Sequence, residues 1–374
     1  MNEQVVMIGV DFQSAPIEVR EQFALFQPSA QASLEGLLGE LRRCAGVEGI
    51  LLLGTCNRTE LYAAIGGGEL PRKIKRIAET FVEVVSTCTM ASHLTTGQAS
   101  KYLRKRTGTE AVAHLFRVAA GVEYQILGDT HILRQVRESV AMARTAGVLG
   151  ALLDRVAGGS LKAGRRVRRE MAIGTGASSV GGAILRTVRK RVAGDHSARI
   201  LLLGAGRASS DIADHFAKAG FGQLRVAARR AEEADGLAAR TKGRATAWQD
   251  IAVDLRDVDC VVCATSAVLP EMTLSVLRGI LEGRRHGREL LVIDVGVPRN
   301  CDPAISSLNG IRLISLDELQ NECAATRGAR QSQSPIINQI LAEEIRGWLA
   351  KEGRRDWCHA EGVPAACTVL RRAG

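Results

Sequence analysis

The chain has 374 residues, enough for two or three domains that each bury a hydrophobic core. Its net charge of +10 favours a polyanionic partner, although a solvated basic surface gives the same balance. No apolar run approaches the roughly 18 residues that a membrane span needs, and Met1–Gln4 lacks the pattern of a secretory signal. We therefore expect a cytoplasmic protein with no membrane partner.

The nine cysteines follow no repeating pattern, and we expect them to be reduced thiols. Cys260 and Cys263 form a CxxC pair inside the apolar run 258–264, which predicts a buried strand rather than a metal or redox site. The histidines are dispersed, and none is spaced from a cysteine or a carboxylate as metal ligands are. The sequence therefore predicts no metal site.

The first 150 residues mix strand and helix patterns, which indicates an α+β domain. Alternating apolar and small residues predict a strand at 4–12, and an apolar run predicts a buried strand at 50–53. We expect a loop containing Cys56 after the second strand and a polar loop at 89–100. Helical periodicity predicts helices at 30–43, at 71–88, from 109 onward and at 128–146.

Two further helices are predicted within 150–193, separated by a stretch rich in Gly, Ser and Thr at 173–182. From 199 to 318 strands alternate with helices, which predicts βαβ units and a parallel sheet. The strands are expected at 199–203, 223–227, 258–264, 290–295 and 311–314, and the helices at 207–218 and 232–240. The first helix of the 150–193 segment carries a basic cluster formed by Lys162, Arg165, Arg166, Arg168 and Arg169.

After Asp317 the pattern becomes helical and amphipathic, with apolar residues recurring from Ile336 to Leu349. Pro335 stands at the start of this helix or kinks a longer one. Together the patterns predict an α/β multidomain protein. Its expected regions are an N-terminal α+β catalytic domain at 1–157, a Rossmann-like dinucleotide domain at 158–318 and a C-terminal helical region at 319–374.

A thiol and a guanidinium come together where the strand at 50–53 ends. Cys56 is followed by Asn57 and Arg58, and Glu60 lies two residues further on. A positive charge beside a thiol favours the thiolate, which is the nucleophilic form. A cysteine of this kind is more often a small buried residue, so both interpretations stay open on these residues alone.

A glycine pair, Gly204-Ala205-Gly206, follows one predicted strand and opens a helix, which is the context of a dinucleotide-binding loop. Ser209 replaces the third glycine of that pattern and would loosen the helix–strand packing. The next strand ends in arginines rather than an acidic residue, which favours NADPH over NADH. A Rossmann-like domain without a cofactor is the alternative. The predicted cofactor-binding residues are Gly204, Ala205, Gly206, Arg207, Ala208, Ser209, Arg229, Arg230, Thr265 and Ser266.

The stretch Thr55–Tyr62, with the letters TCNRTELY, resembles the signature of the glutamyl-tRNA reductases, the tRNA-dependent enzymes that open tetrapyrrole synthesis. The resemblance extends over residues 5–350, and the eight-residue signature is its most specific part. The other segments in family order are Ala15-Pro16 with Arg20-Glu21, His114–Ala119, Ile126–Gly128, Gly174–Ala177 with Ser179-Val180, Leu203–Gly206 and Ile293–Arg299.

The resemblance implies a two-step reaction. Cys56 would attack the ester carbonyl of an aminoacyl-tRNA, by default glutamyl-tRNA, and form a thioester, which NADPH would reduce to an aldehyde, glutamate-1-semialdehyde. His114 is the second implied catalytic residue, and Arg58 the implied partner of the glutamyl carboxylate. A downstream aminomutase is an implied partner protein. The implied substrate-binding residues are Thr55, Asn57, Arg58, Glu60, Tyr124, Asp129 and His131.

Departures from the family pattern cluster around the implied substrate pocket. Tyr124 replaces a smaller serine, and Asp129 and His131 stand where the family has other polar residues. The family also continues from a long spine helix into a helical dimerisation domain. The end of this chain at Gly374 therefore predicts a truncated dimerisation region and leaves a homodimer open.

Three alternatives to a glutamyl-tRNA reductase stay open. The pocket departures fit a reductase of another aminoacyl-tRNA in a specialised pathway. A non-catalytic paralogue that binds tRNA or another enzyme would keep the fold without needing Cys56. A small-molecule dehydrogenase of the shikimate type would share the Rossmann half and would keep full activity after Cys56→Ser.

Overall fold

The computed structural model describes residues 3–24, 38–39, 42, 47–88, 95–123, 131–170, 180–192, 195–266, 268–284, 288–324 and 334–353. The predicted helix at 30–43 lies almost wholly outside this set. Internal contacts divide the chain into two compact units, and each is described by itself. The first comprises Met1–Thr175 with Arg327–Gly374, and the second comprises Gly176–Thr326.

A four-stranded antiparallel sheet forms the centre of the first unit. Its strand order is β2-β3-β1-β4, so β1 and β3 are central. The inward residues of β1 are almost all apolar, and the whole of β3 is buried, which places the core on both faces of the sheet. The strands are β1 (Gln4–Asp11), β2 (Gly49–Thr55), β3 (Arg58–Ile65) and β4 (Arg104–Thr107).

Amphipathic helices cover this sheet. The helix Leu70–Cys88 uses an apolar face that includes Ile77 and Phe81, and Phe81 stacks on Phe23 at 6.0 Å between ring centroids. The predicted helices at 71–88, from 109 and at 128–146 are confirmed within the described residues. The helices are α1 (Ile17–Arg20), α2 (Leu70–Cys88), α3 (Thr96–Ala99), α4 (Gly108–Ala119), α5 (Ile132–Thr145) and α6 (Ala151–Glu170).

Two strands of this sheet were not predicted. The segment after Cys56 is not a loop, because Arg58–Ile65 pairs along its whole length with β1 and from Arg58 to Ala64 with β2. The strand was not predicted because polar residues usually indicate an exposed segment. Here Arg58 and Glu60 are buried and form an ion pair with each other. The expectation of a loop through 89–100 was also wrong in part, because Thr96–Ala99 is helical. The edge strand Arg104–Thr107 is strongly basic and shows no apolar alternation.

A six-stranded, wholly parallel sheet forms the second unit, as the alternating pattern predicted. Its order is β10-β9-β8-β5-β6-β7, and the central strands are continuous apolar runs because helices cover both faces. The short strand β7 was not predicted. The strands are β5 (Ile200–Leu203), β6 (Leu224–Ala227), β7 (Arg244–Thr246), β8 (Cys260–Cys263), β9 (Leu290–Asp294) and β10 (Ile311–Ser315).

The helices of the second unit connect successive strands. Those at 207–218 and 232–240 were predicted, whereas Ile251–Leu255 and Leu274–Glu282 were not. The helices are α7 (Val180–Arg191), α8 (Arg207–Lys218), α9 (Ala231–Thr241), α10 (Ile251–Leu255), α11 (Leu274–Glu282) and α12 (Leu316–Ala324). Short 3₁₀ turns lie at Trp248–Asp250, Pro270–Met272 and Pro303–Ser307, with another in the first unit at Glu21–Phe23.

The last described helix, α13 (Ser334–Lys351), belongs to the first unit. Its apolar face joins the core of that unit, and the Trp348 indole donates a hydrogen bond to the Arg155 carbonyl at 3.2 Å. Pro335 lies in the first turn, where its missing N–H costs nothing. The amphipathic helix predicted from Ile336 to Leu349 is confirmed.

These units divide the chain differently from the sequence-based boundaries. The boundary expected between 157 and 158 falls within α6, which runs unbroken to Glu170. The C-terminal helix packs on the N-terminal unit instead of standing as a separate region. Among the helices of the described ranges, none is long and apolar enough to cross a bilayer.

Candidate active site

Cys56 lies at the tip of a tight hairpin. The pairing of Thr55 with Arg58 leaves Cys56 and Asn57 as the two residues of the turn between β2 and β3. The Thr55 hydroxyl accepts hydrogen bonds from the backbone N–H groups of Asn57 at 3.1 Å and Arg58 at 3.2 Å. Asn57 is buried, whereas Cys56 is half-buried, so the turn presents its thiol residue and hides the next one.

Two residues that follow the neighbouring strand β1 donate hydrogen bonds to the backbone of this turn. The backbone N–H of Phe12 donates to the Asn57 carbonyl at 2.9 Å. The Arg20 side chain, which is buried, donates through Nη1 to the Cys56 carbonyl at 3.3 Å. The guanidinium of Arg20 therefore lies beside the Cys56 backbone.

Arg58, Glu60 and Tyr62 alternate along β3 and therefore share one face of the sheet. The Glu60 carboxylate is their common partner. Arg58 Nη1 donates to Glu60 Oε1 at 2.8 Å, and the Tyr62 hydroxyl donates to Glu60 Oε2 at 2.7 Å. Glu60 is only 1% exposed, so these contacts replace its hydration shell.

His114 completes this cluster from helix α4. Its Nε2 lies 2.9 Å from Glu60 Oε1, and the ring is 3% exposed. A carboxylate only accepts hydrogen bonds, so Nε2 carries a proton. The other ring nitrogen, Nδ1, is then the one available to accept or transfer a proton. We call Arg58, Glu60, Tyr62 and His114 the Glu60 cluster.

Charge holds Glu60 ionised in this buried position. Burial acts to raise the pKa of Glu60, but the charge of Arg58, the electrostatic attraction of the His114 ring and the hydrogen bonds from His114 and Tyr62 outweigh it. The pKa of Glu60 consequently lies well below its usual range. Burial and the adjacent carboxylate raise the pKa of Tyr62 well above its usual value, so Tyr62 stays a hydrogen-bond donor.

A second carboxylate borders the cluster at the end of the segment after α4. Arg58 Nη2 donates to the backbone carbonyl of Glu123, whose side chain accepts from Arg117 Nε at 2.5 Å. Burial acts to raise the pKa of Glu123, but the bond and charge of Arg117 lower it overall. Tyr124 and Asp129 lie outside the described residues, and His131 stands at the N-terminal end of α5 with Arg134 3.2 Å from its Nδ1.

The predicted dinucleotide loop joins β5 to α8 in the second unit. Gly204 has a φ of 115°, and a Cβ there would lie 2.6 Å from the Ala264 carbonyl oxygen, so only glycine fits. Gly206 is the N-cap of α8, and the space where its Cβ would be is open. A pyrophosphate can therefore approach the backbone at this position. Ser209 is buried and its hydroxyl donates to the Ala264 carbonyl at 3.2 Å, so serine fits the third glycine position with a hydrogen bond of its own.

The other predicted cofactor residues lie at the carboxyl ends of adjacent strands. Arg229 and Arg230 follow β6 and are exposed, and Arg230 pairs with Glu233 in the first turn of α9. Thr265 and the exposed Ser266 follow β8. Since β6 and β8 flank β5, the structure brings these residues to the same edge of the sheet as the glycine loop.

The position of Thr265 depends on two residues that sequence reasoning did not single out as site residues. The buried Asn300 side chain makes two hydrogen bonds to the Thr265 backbone. Its Oδ1 accepts from the Thr265 N–H at 3.0 Å, and its Nδ2 donates to the Thr265 carbonyl at 3.2 Å. Asp294, at the end of β9, accepts from the backbone N–H groups of Gly296, Asn300 and Cys301. Burial raises the pKa of Asp294 to about 6 although these bonds oppose the shift.

The CxxC pair lies in a buried strand, as predicted. Cys260 and Cys263 lie in β8 and are buried, and burial raises the pKa of Cys260. The hydrogen bond with Cys301 acts to lower the pKa of Cys263, but burial and the charge of Asp294 raise it overall. Cys263 Sγ lies 3.5 Å from Cys301 Sγ, and both are thiols. Across the part of the chain that the structure describes, no group of histidine, cysteine and acidic side chains is arranged to hold a metal ion.

A parallel sheet of this order, with a glycine-rich turn ahead of a helix at its centre, is typical of dinucleotide-dependent oxidoreductases. Comparison with known proteins identifies the two halves separately. Residues 8–171 match the family model for the glutamyl-tRNA(Glu) reductase N-terminal domain, and residues 186–322 match that for shikimate / quinate 5-dehydrogenase.

Curated relatives match along nearly the whole chain. A glutamyl-tRNA reductase of Geobacillus kaustophilus is 31% identical over 98% of this chain and 77% of its own length. One of Deinococcus radiodurans is 33% identical over 93% of each chain. The solved glutamyl-tRNA reductase of Methanopyrus kandleri is 26% identical, with a TM-score of 0.48, over 93% of this chain and 80% of that one. This chain belongs to the glutamyl-tRNA reductase family.

Proposed function

We propose that this protein reduces the glutamyl group of glutamyl-tRNA to glutamate-1-semialdehyde, with NADPH as reductant, for tetrapyrrole synthesis. Family membership supports the reaction, and the observation that carries it is the half-buried Cys56 on a rigid turn beside the Glu60 cluster. The relatives do not favour the alternatives of a different aminoacyl-tRNA or a non-catalytic role.

Cys56 supplies the nucleophile in this proposal. Its thiolate attacks the carbonyl carbon of the ester that joins glutamate to the terminal ribose, the carbon–oxygen bond breaks, and tRNA leaves with its ribose hydroxyl restored. A thioester then joins the glutamyl group to Cys56, and it accepts hydride more readily than an ester because sulfur overlaps the carbonyl poorly. The hydrogen bonds that the Thr55 hydroxyl accepts and the one that Arg20 donates hold the turn in place during attack.

Glu60 acts as a positioning residue rather than as a wall of the pocket. It is buried and saturated by three side-chain donors, so it orders Arg58 and His114 without facing substrate. His114 transfers a proton through Nδ1, since Nε2 is committed to Glu60. Arg58 Nη2 donates to the backbone carbonyl of Glu123 in this structure. When substrate binds, Nη2 leaves that carbonyl and donates to the glutamyl carboxylate instead.

The second unit holds the cofactor in this proposal. Gly204 makes the turn where a Cβ would clash with the Ala264 carbonyl, and Gly206 leaves open space at the start of α8 for a pyrophosphate. Arg229 and Arg230 provide positive charge for a 2′-phosphate. When bound there, NADPH supplies the hydride that converts the thioester to the aldehyde. Asn300 and Asp294 keep the loop that carries Thr265 in register with this cradle.

Two finer points extend the proposal. The aldehyde product is reactive, so we expect an aminomutase that consumes it to be a downstream partner. A cytoplasmic location follows from the proposed substrate, since charged tRNA is made and used in the cytoplasm.

The direct test is aldehyde formation in a single turnover. Purified protein is mixed with NADPH and tRNA carrying labelled glutamate, and the labelled aldehyde is trapped with a hydrazine reagent. We expect aldehyde with glutamyl-tRNA, none with tRNA carrying another amino acid, and none from Cys56→Ser, which retains all the other cysteines. Aldehyde from Cys56→Ser, or equal rates with other amino acids, would contradict the proposal.

A further inference from the structure

A basic groove lies between α6 and α13 within the first unit. It has a volume of about 380 Å³ and is lined by four cations and one carboxylate. Among the residues that the structure describes, none that lines the groove is aromatic. The lining residues are Lys162, Arg165, Arg166, Arg169 and Glu344.

One arginine of the groove stabilises the packing of its two helices. Arg166 donates to Glu170 and Glu343, both at 2.7 Å, and to Glu344 at 3.2 Å, and these hydrogen bonds raise its pKa. Glu343 and Glu344 belong to α13, so Arg166 ties the two helices together. Glu344 is the only acidic residue among the described lining residues, and it accepts hydrogen bonds from Arg166 and, at 2.8 Å, from Lys162.

The other three cations of the groove are exposed to solvent. Lys162 and Arg169 are 65% and 77% exposed, and Arg169 has only a 4.0 Å contact with Glu170. Arg165 is exposed and takes part in none of the ion pairs found among the described residues. Residues 162, 165 and 169 lie on successive turns of α6 and span roughly 10 Å along its axis.

We propose that this groove binds the phosphate backbone of the tRNA. The inference rests on the proposed function, which requires a tRNA substrate, and adds the surface that receives it. A row of exposed cations suits a polyanion better than a single small anion, because each phosphate that is neutralised releases counterions. Without an aromatic platform the groove contacts phosphates rather than bases, so it binds tRNAs irrespective of their attached amino acid.

The test compares two double variants that each remove two exposed arginines one helical turn apart. Arg165→Gln/Arg169→Gln removes them from the groove and leaves Arg166 in place. Arg72→Gln/Arg76→Gln removes the same charge from exposed positions of α2. Binding of uncharged tRNA is measured by fluorescence anisotropy at several KCl concentrations, and thermal melting checks that both variants fold.

We expect the groove variant to bind tRNA on the order of 10-fold more weakly, and its plot of log affinity against log salt to be shallower by roughly 1.5. The α2 variant should stay within about twofold of the unmodified protein. Equal weakening in both variants, or unchanged binding in the groove variant, would overturn the proposal.

The outcome separates this inference from the proposed function. If the unmodified protein makes aldehyde from glutamyl-tRNA and the groove variant shows the same KM for that substrate, the groove proposal fails alone. If the unmodified protein makes no aldehyde yet binds tRNA through Arg165 and Arg169, the groove stands and the proposed reaction fails.

Discussion

Replacing Glu60 by glutamine tests whether its buried carboxylate organises the active site. The substitution keeps the size of the side chain and removes its charge. Arg58, whose side chain is fully buried, then loses the carboxylate that lies 2.8 Å away. Removing one partner of a buried ion pair costs about 3–5 kcal/mol, and we expect the unfolding free energy of the first unit to fall by that amount.

Two matched variants calibrate this expectation. Tyr62→Phe removes one hydrogen bond to the same carboxylate but keeps the ion pair, so it should cost about 1.5–3 kcal/mol. Glu110→Gln breaks the ion pair with Arg106 at the surface of α4, where the carboxylate is 36% exposed, and should cost at most about 1 kcal/mol. The predicted order of destabilisation is Glu60→Gln, then Tyr62→Phe, then Glu110→Gln.

The pH dependence of the Glu60→Gln effect follows from the direction of the pKa shift. The pKa of Glu60 is lowered in the folded protein, so its stabilising contribution is fully present above the usual pKa of 4.5. That contribution is lost as the pH falls below 4.5 toward the folded pKa. The stability difference between the unmodified protein and Glu60→Gln should therefore be constant from pH 6 to 8 and shrink in acid.

Urea unfolding in a Trp248→Phe background provides the assay. Trp248 falls within the second unit, whereas the two remaining tryptophans, Trp348 and Trp357, fall within the range of the first unit, so the remaining fluorescence reports on the first unit. A positioning role adds a second readout, because label transfer from glutamyl-tRNA to Cys56 should slow more in Glu60→Gln than in Tyr62→Phe at a temperature where both are folded. Equal stability of Glu60→Gln and the unmodified protein would refute the reasoning, and so would a normal transfer rate.

Three further predictions concern single residues. His114→Gln keeps a donor toward Glu60 but removes the second ring nitrogen, so single-turnover acylation should slow by about 10²-fold while the melting temperature changes little. Gly204→Ala should weaken NADPH binding, measured by fluorescence titration, by more than about 10-fold through strain, whereas Gly236→Ala, in a helix with open space, should not. Asp294→Asn places an amide N–H against backbone N–H donors, so urea unfolding should show a loss of about 1–3 kcal/mol in the second unit.

The second unit could be predicted well from the sequence because its signals are local. Each central strand is a continuous apolar run, and Gly204-Ala205-Gly206 stands between a strand and a helix as expected. The elements that were missed, such as Arg244–Thr246 and Ile251–Leu255, are short and only partly apolar, so periodicity carries little information there.

The first unit was harder because its active-site strand is stabilised by distant partners. Arg58 and Glu60 resemble loop residues in sequence, yet they are buried because His114, 54 residues away from Glu60, supplies a matching donor from another element. The family resemblance implies Glu60 as a substrate-binding residue, and that assignment stays a prediction. The signal that could have shown its position is the alternation of Arg58, Glu60 and Tyr62, which fits one face of a strand.

The central claim is that Cys56 carries the glutamyl group between the two chemical steps. Incubating the protein with labelled glutamyl-tRNA in the absence of NADPH, followed by acid quenching, peptide digestion and mass spectrometry, measures this directly. We predict that the peptide containing Cys56 gains the mass of one glutamyl group, and that adding NADPH before the quench removes it as labelled aldehyde. A glutamyl group on another residue, or aldehyde formed with no acylated peptide even at the earliest times, would contradict the account.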